Sequence, residues 1–244
     1  LALYAAGQEV GAEALRASLR AATVSGRLVP LLCGSAFSDA SVALLLDGIV
    51  DYLPSPGDRP CPEGLDPATG APARAACEEA GAFSAFVFKT QADPSFGRLS
   101  WVRVWSGSLA PGDRVIDAGR DQALRVQKIF SIQASALEDL PSIRAGDIAA
   151  LSFGAASNKG NPGSTGSSLS SPGHLLVYEA LGFDEPVVSL ALESPGRAEG
   201  AALAEALASL LEEDPSLRLR EDGETGRLIL SGMGELHLEV ALER

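Results

Sequence analysis

Phe83-Ser-Ala-Phe-Val-Phe-Lys89, followed by Leu99-Ser-Trp-Val-Arg-Val-Trp105, decides the architecture of this 244-residue chain. Both runs alternate along the chain and are rich in the aromatic and β-branched residues that suit a pleated surface. Turn signals come next, at Ser106-Gly107, Pro111-Gly112-Asp113, Ala118-Gly119 and Ala145-Gly146-Asp147. Short strands spaced by such turns predict a closed antiparallel barrel or sandwich. Closure also removes the apolar strand edges that would otherwise pair with a second chain.

Downstream the texture changes. Pro186 to Leu192 reads as a strand, and Glu199 to Glu213 as a helix with Leu203, Leu207, Leu210 and Leu211 on one stripe. Leu217 to Arg220 and Arg227 to Leu230 read as a hairpin around Asp222-Gly223, and a last helix starts near Gly234 with Leu236 and Val240 facing inward. This βαββα order is a ferredoxin-like split motif short of its final strand. Upstream, Glu13 to Ala22 predicts a short helix and Leu28 to Cys33 a buried strand. After Ser38-Asp39, a helix cap, the stripe Val42, Leu45, Leu46, Ile49, Val50, Leu53 predicts a second helix, stopped by Pro54-Ser-Pro56. One strand cannot make a parallel sheet, so this part reads as an α/β remnant, and 54–80 as an irregular connector. The predicted fold class is multidomain α+β: a remnant over 1–60, a linker over 61–82, an antiparallel β-barrel over 83–183 and a ferredoxin-like domain over 184–244. The chain is expected to be cut from a longer one at both ends.

Composition narrows the function. With 46% apolar residues and a net charge of −13, global disorder is excluded and a general charge-driven nucleic-acid binder is disfavoured. The charge is uneven: −5 over 1–80, +1 over 81–180 and −9 over 181–244. Any polyanion contact therefore belongs to the near-neutral middle part. No run approaches the roughly 18 apolar residues of a membrane span. The start, LALYAAGQEVGAEAL, has neither an initiator Met nor a signal-peptide pattern, which predicts a fragment or processed chain. Cys33, Cys61 and Cys77 fit no zinc or redox spacing, and an odd number argues against a disulfide framework, so three thiols in a reducing compartment are expected. His174 and His237 are the only histidines, so a soft-ligand metal site is not expected.

Catalytic constellations are scarce. Glu212-Glu213-Asp214 is the densest acidic cluster, but three consecutive carboxylates at a helix end do not converge across a cleft, and a solvated surface is the expectation. No GxSxG elbow supports a serine triad, and His237 reads as a packed or interface histidine. No GxxxxGK[ST] occurs and no Gly-Lys pair, so a phosphate-binding loop is absent. Asn158-Lys159-Gly160-Asn161 imitates a guanine-specificity NKxD motif but ends in an amide, within the Gly/Ser-rich loop Gly154 to Gly173, and is a decoy. Gly34-Ser35-Ala36-Phe37 differs: it follows a predicted strand and precedes a capped helix, where α/β folds bind ligands.

Three stretches converge on one family. Pro30-Leu-Leu-Cys-Gly-Ser-Ala-Phe37 with Leu46-Asp-Gly-Ile-Val-Asp-Tyr-Leu-Pro-Ser-Pro56 resembles the end of the GTP-binding domain of elongation factor G. Lys89-Thr-Gln-Ala-Asp-Pro-Ser-Phe-Gly-Arg-Leu99, Arg103-Val-Trp-Ser-Gly107 and Gly112-Asp-Arg-Val115 resemble its second domain, a translation-factor β-barrel. Glu212-Glu-Asp-Pro215 and Ile229-Leu-Ser-Gly-Met-Gly-Glu-Leu-His-Leu-Glu239 are similar to its third.

The resemblance implies a piece of a cytoplasmic translocation GTPase, with the ribosome as partner and neither membrane nor DNA. It implies that Ser35, Ala36 and Phe37 form the fifth guanine-nucleotide motif, whose backbone amide reads the guanine carbonyl. The motifs that hold GTP phosphates and Mg2+ would lie upstream, so this chain alone is expected to bind neither and to be inactive. The barrel is implied to rest on small-subunit ribosomal RNA, with Arg98 and Arg103 on matched positions and Arg114, Arg125 and Lys128 as further candidates; basic residues on a solvated strand face are the competing reading. Ser231, Gly232, Met233, Gly234 and His237 map onto the border of an interdomain cleft. Two departures, Ser38-Asp-Ala-Ser-Val42 without the family's Lys-Gly and the Gly/Ser-rich loop from Gly154 to Leu169, keep a diverged paralogue or a tetracycline-resistance-type ribosomal protection protein in view. Two other classes stand beside these: a stand-alone acidic hydrolase, and a GTPase-free ribosome-binding adaptor.

Overall fold

The computed structural model describes residues 5, 7, 9–38, 41–134, 136–154, 161–192, 197–223 and 226–243. The chain divides into two compact units, residues 1–60 and 61–244. Two helices build the first, α1 (Ala12–Val24) and α2 (Val42–Tyr52). Arg20 of α1 donates to the Asp51 carbonyl at 3.0 Å and pairs with Asp58 at 2.6 Å. Asp58 in turn accepts the hydroxyl and backbone N–H of Ser55, and those bonds, with Arg20 beside them, hold its carboxyl below its ordinary value.

The buried strand expected over Leu28 to Cys33 does not form. The segment carries no ladder, and Val29 and Leu31 are 86% and 88% exposed. An apolar run becomes a strand only where a neighbour takes its backbone hydrogen bonds, and the two helices offer none. Of the expected cap Ser38-Asp39, Asp39 lies outside the described residues; α2 starts instead after Ser41, whose backbone is left-handed at φ 70°.

In the second unit, the expected irregular connector is an antiparallel hairpin. Strands β1 (Glu63–Leu65) and β2 (Pro72–Arg74) pair Glu63 with Arg74 and Leu65 with Pro72. Cys61 and Cys77 close its open end as a disulfide with Cα atoms 5.8 Å apart, leaving Cys33 as the free, exposed thiol. The expectation of three thiols fails because sequence spacing does not report what a hairpin brings together.

The alternating runs become β3 (Ser84–Asp93) and β4 (Gly97–Ser106). Then come β5 (Ser108–Leu109), β6 (Arg114–Asp117), β7 (Gln122–Arg125), β8 (Lys128–Gln133), β9 (Ala136–Asp139), β10 (Ile143–Arg144), β11 (Ile148–Ser152) and β12 (Ser168–Ser170). Eight of these form one antiparallel sheet in the order β7-β6-β12-β3-β4-β11-β8-β9. It curls round a core in which Val87, Val102, Val104, Val115, Leu151 and Leu169 are buried, and Leu99, Phe130 and Ala150 form a second buried cluster on the same sheet. Gly107 shows how tight the turns are: at φ +72° any Cβ would come within 2.6 Å of the Phe83 backbone. The short β13 (Val177–Tyr178) pairs with β1, and Tyr178 shares a 2.6 Å hydrogen bond with Ser84.

The last part is β14 (Val188–Leu192), α3 (Arg197–Glu213), β15 (Arg218–Glu221), β16 (Leu228–Gly232) and α4 (Glu235–Glu243), with strand order β14-β16-β15. This is the expected βαββα arrangement. Both helices share one core with the sheet, through Leu207, Leu217, Leu230, Leu238 and Ala241. The inward face of α4 is corrected: Leu238 and Ala241 are buried, whereas Leu236 is 72% exposed and Val240 half exposed. Both pairs have helical spacing, so periodicity alone does not choose between them.

Candidate functional site: the seam between barrel and third domain

The far end of the β3–β4 hairpin meets the C-terminal turn of α3. A helix end leaves carbonyls without partners; here the buried Thr90 hydroxyl donates to the Glu212 carbonyl at 2.8 Å, while sharing a 2.7 Å bond with Thr165. The backbone N–H of Ala92 donates to the Glu213 carboxylate. Arg98, paired with Ala92 across the hairpin, has a side chain only 8% exposed. Its guanidinium donates to the Pro162 carbonyl at 2.5 Å and meets the Glu212 carboxylate at 3.5 Å. A cation at a helix C-terminus is also favoured by the helix dipole. Beside these contacts lies a cavity of about 300 Å³, lined by Gln91, Asp93, Gly97, Ala208 and Ser209.

The third carboxylate of the cluster turns the other way. Asp214 accepts His237 Nε2 at 2.8 Å on one oxygen, and the Ser216 backbone N–H and hydroxyl on the other. His237 Nδ1 accepts the Met233 N–H at 3.1 Å, so this ring is the neutral tautomer that donates from Nε2. Gly232 permits the approach: a Cβ there would meet the Leu238 side chain at 2.8 Å and His237 Nδ1 at 3.1 Å. Ser231 bonds Ser189 across the sheet at 2.8 Å, and Met233 is exposed at the turn before α4. The two third-domain motifs, Glu212 to Pro215 and Ser231 to His237, thus meet through one histidine–carboxylate bond.

The expectation that Glu212-Glu213-Asp214 is a solvated helix end is therefore corrected. All three are half-buried and bonded. Arg98 and Thr90 stand more than a hundred residues away in the chain, and no local pattern signals them.

Burial pushes the Asp214 carboxyl up, but the Ser216 hydroxyl and N–H together with His237 outweigh it and hold the group below its ordinary value. The native carboxyl then binds its proton less readily than the unfolded one, whose value is about 3.9, so its stabilisation is present above that pH and is lost as pH falls further. Asp214→Asn should lower stability at pH 7 by about 1 kcal/mol, kept small by partial solvent exposure. It should also flatten the loss of third-domain stability below about pH 4, read from urea unfolding at pH 7 and pH 3.

The other sequence-predicted residues separate. Ser35 and Ala36 line a cavity of about 410 Å³ shared with Leu32, Cys33, Leu44 and Leu45, whereas Phe37 is not part of that lining and is fully exposed. The chain's lysines are Lys89, Lys128 and Lys159, so none lies in residues 1–60 to neutralise a triphosphate. Among the described residues no group of acids, histidines or cysteines could hold a metal. On the barrel, Arg103 stacks over Trp105 at 5.4 Å. Lys128 pairs with Asp139 at 3.1 Å and lies over the rings of Phe96 and Phe130. Arg114 and Arg125 face each other in register across β6–β7, both exposed. Most of the decoy Asn158-Lys159-Gly160-Asn161 lies outside the described residues. No helix among the described residues is long and apolar enough to cross a membrane.

Comparison with known proteins bears on the same segments. Residues 82–155 match the family model described as Elongation factor G domain 2, and residues 183–244 that described as Elongation Factor G, domain III. Elongation factor G of Petrotoga mobilis is 42% identical over 243 residues, covering 99% of this chain and 34% of that protein. A crystal structure from Thermus thermophilus aligns with a TM-score of 0.74 at 32% identity, covering 99% of this chain and 33% of that one. The chain spans about a third of the length of these relatives.

Proposed function

Because the chain belongs to the elongation factor G family, we propose that it supplies the ribosome-contacting and signal-transmitting part of a cytoplasmic translational GTPase of that type. The seam carries this reading. Four groups from the barrel and α3, Thr90, Ala92, Arg98 and the Glu212-Glu213 pair, join the two domains by directional bonds, so a rotation imposed on one reaches the other. GTP and Mg2+ belong to the family's phosphate-binding motifs. In this chain Ser35, Ala36 and Phe37 contribute at most the guanine-edge contact, and Ser231, Gly232, Met233, Gly234 and His237 form the flank of the third domain that answers the nucleotide state. The three carboxylates are each engaged by a different partner, which disfavours an acidic hydrolase.

Small-subunit ribosomal RNA is the proposed partner of the barrel, through Arg103, Arg114, Arg125 and Lys128. Like charges directly opposite on a sheet repel, and a phosphate between Arg114 and Arg125 relieves that repulsion. Arg98 is reserved for the seam. Fluorescence anisotropy of the chain on small ribosomal subunits should show salt-dependent binding, which Arg114→Glu with Arg125→Glu weakens by roughly tenfold or more while flattening the salt slope by about 2. Binding that ignores both substitutions contradicts the assignment. Equilibrium dialysis should detect no micromolar affinity for GTP; such affinity would contradict the reading of the first unit.

A further inference from the structure

We infer that Cys61 and Cys77 form a reversible thiol–disulfide modification site that sets whether the β1–β2 hairpin is stapled. The bond stands at the open end of the hairpin and closes a loop 16 residues apart in sequence. Apart from the turn, where Asp66 bonds Ala68, Thr69, Gly70 and Ala71, little else holds that loop. The strands exchange three residue pairs, Leu65 and Arg74 lie exposed, and the Glu63–Arg74 ion pair at 3.3 Å is on the surface. None of the residues of β1 or β2 belongs to a hydrophobic core cluster, and a small isolated hairpin is marginal in water. Pairing of β1 with β13 anchors one side only, over two residues.

Cys77 itself favours opening. Its backbone sits at φ 55°, a left-handed conformation that a side chain resists and that the cross-link helps to maintain. Both sulfurs belong to half-buried residues, within reach of a small reductant. Disulfides of cytoplasmic proteins are characteristically transient or redox-sensing; only this last point leans on the proposed cytoplasmic function.

The chemistry is dithiol exchange. A thiolate of the reductant attacks one sulfur, the Cys61–Cys77 bond breaks, and a mixed disulfide forms. The reductant's second thiolate displaces the protein sulfur. In sum the disulfide takes up two electrons and two protons to give two thiols, and the dithiol becomes its own disulfide. A small disulfide oxidant reverses the step.

The test uses the whole chain, purified without reductant, with free thiols counted by alkylation in denaturant and mass spectrometry. One label, on Cys33, is expected before native treatment with dithiothreitol and three after it, with return to one on oxidised glutathione. Trypsin cleavage after Arg74 should rise about tenfold on reduction, because the loop loses its closure. Cys61→Ser and Cys77→Ser should each show that rise without reductant and no further response to it, with barrel tryptophan fluorescence confirming that the variants fold. Three labels before reduction, one label after native dithiothreitol, or unchanged cleavage at Arg74 would each overturn the proposal.

Discussion

Asp117→Ala should cost the barrel about 3 kcal/mol, the low end for breaking a buried charge pair, because its cation is partly hydrated. Asp117 lies on β6 and is fully buried. One of its oxygens accepts the Gly163 backbone N–H at 3.0 Å, the Ser167 hydroxyl at 2.8 Å and Arg120 at 3.1 Å. Arg120 also donates to Ser167 and Ser164. Alanine removes the one acceptor on which residues 163–167 converge and strands a buried N–H and a buried hydroxyl. Asn keeps an acceptor without the charge and should lose about half as much. Guanidinium unfolding should show a lower midpoint with an unchanged slope.

Arg98→Ala is the second large effect, at about 2–3 kcal/mol. The loss leaves the Pro162 carbonyl without its charged donor and Glu212 without its cation. Lysine should not rescue it, since one ammonium cannot reproduce a fork that reaches two acceptors. In a double-mutant cycle with Glu212→Gln, the coupling should be modest, about 0.5–1 kcal/mol, because the ion pair is long and the carboxylate is a third exposed. Combination with Asp117→Ala should be less than additive: residues 162–167, which Asp117 anchors, also present Pro162 to Arg98 and Thr165 to Thr90.

The parts of the fold that are legible in the sequence are those whose partners are near in the chain. Strands 83–89 and 99–105 pair across a short turn, and the turn signals from Ser106 to Asp147 fall at bends between strands. The helix of Leu203, Leu207, Leu210 and Leu211 packs those leucines on its core. Illegible are the choices that a distant partner makes. Leu28 to Cys33 is as apolar as a strand but has no ladder beside it. Leu236 and Val240, four apart, fit a helical stripe as well as Leu238 and Ala241, three apart, and only the sheet beneath decides which pair is buried. Arg98 reads as a surface cation because Glu212 is 114 residues away. His237 reads in the sequence as a packed or interface histidine; its bonds to Asp214 and Met233 lie inside the third domain, and nothing local signals Asp214 as its acceptor.

If the seam makes the barrel and the third domain one mechanical body, their separation is fixed. Pulsed dipolar spectroscopy between spin labels at the exposed positions Ser108 and Leu236, with Cys33 replaced by Ala, measures it. A single narrow distance that broadens in Arg98→Ala is the predicted result. A broad distribution in the parent chain, or one whose width ignores Arg98→Ala, would contradict it.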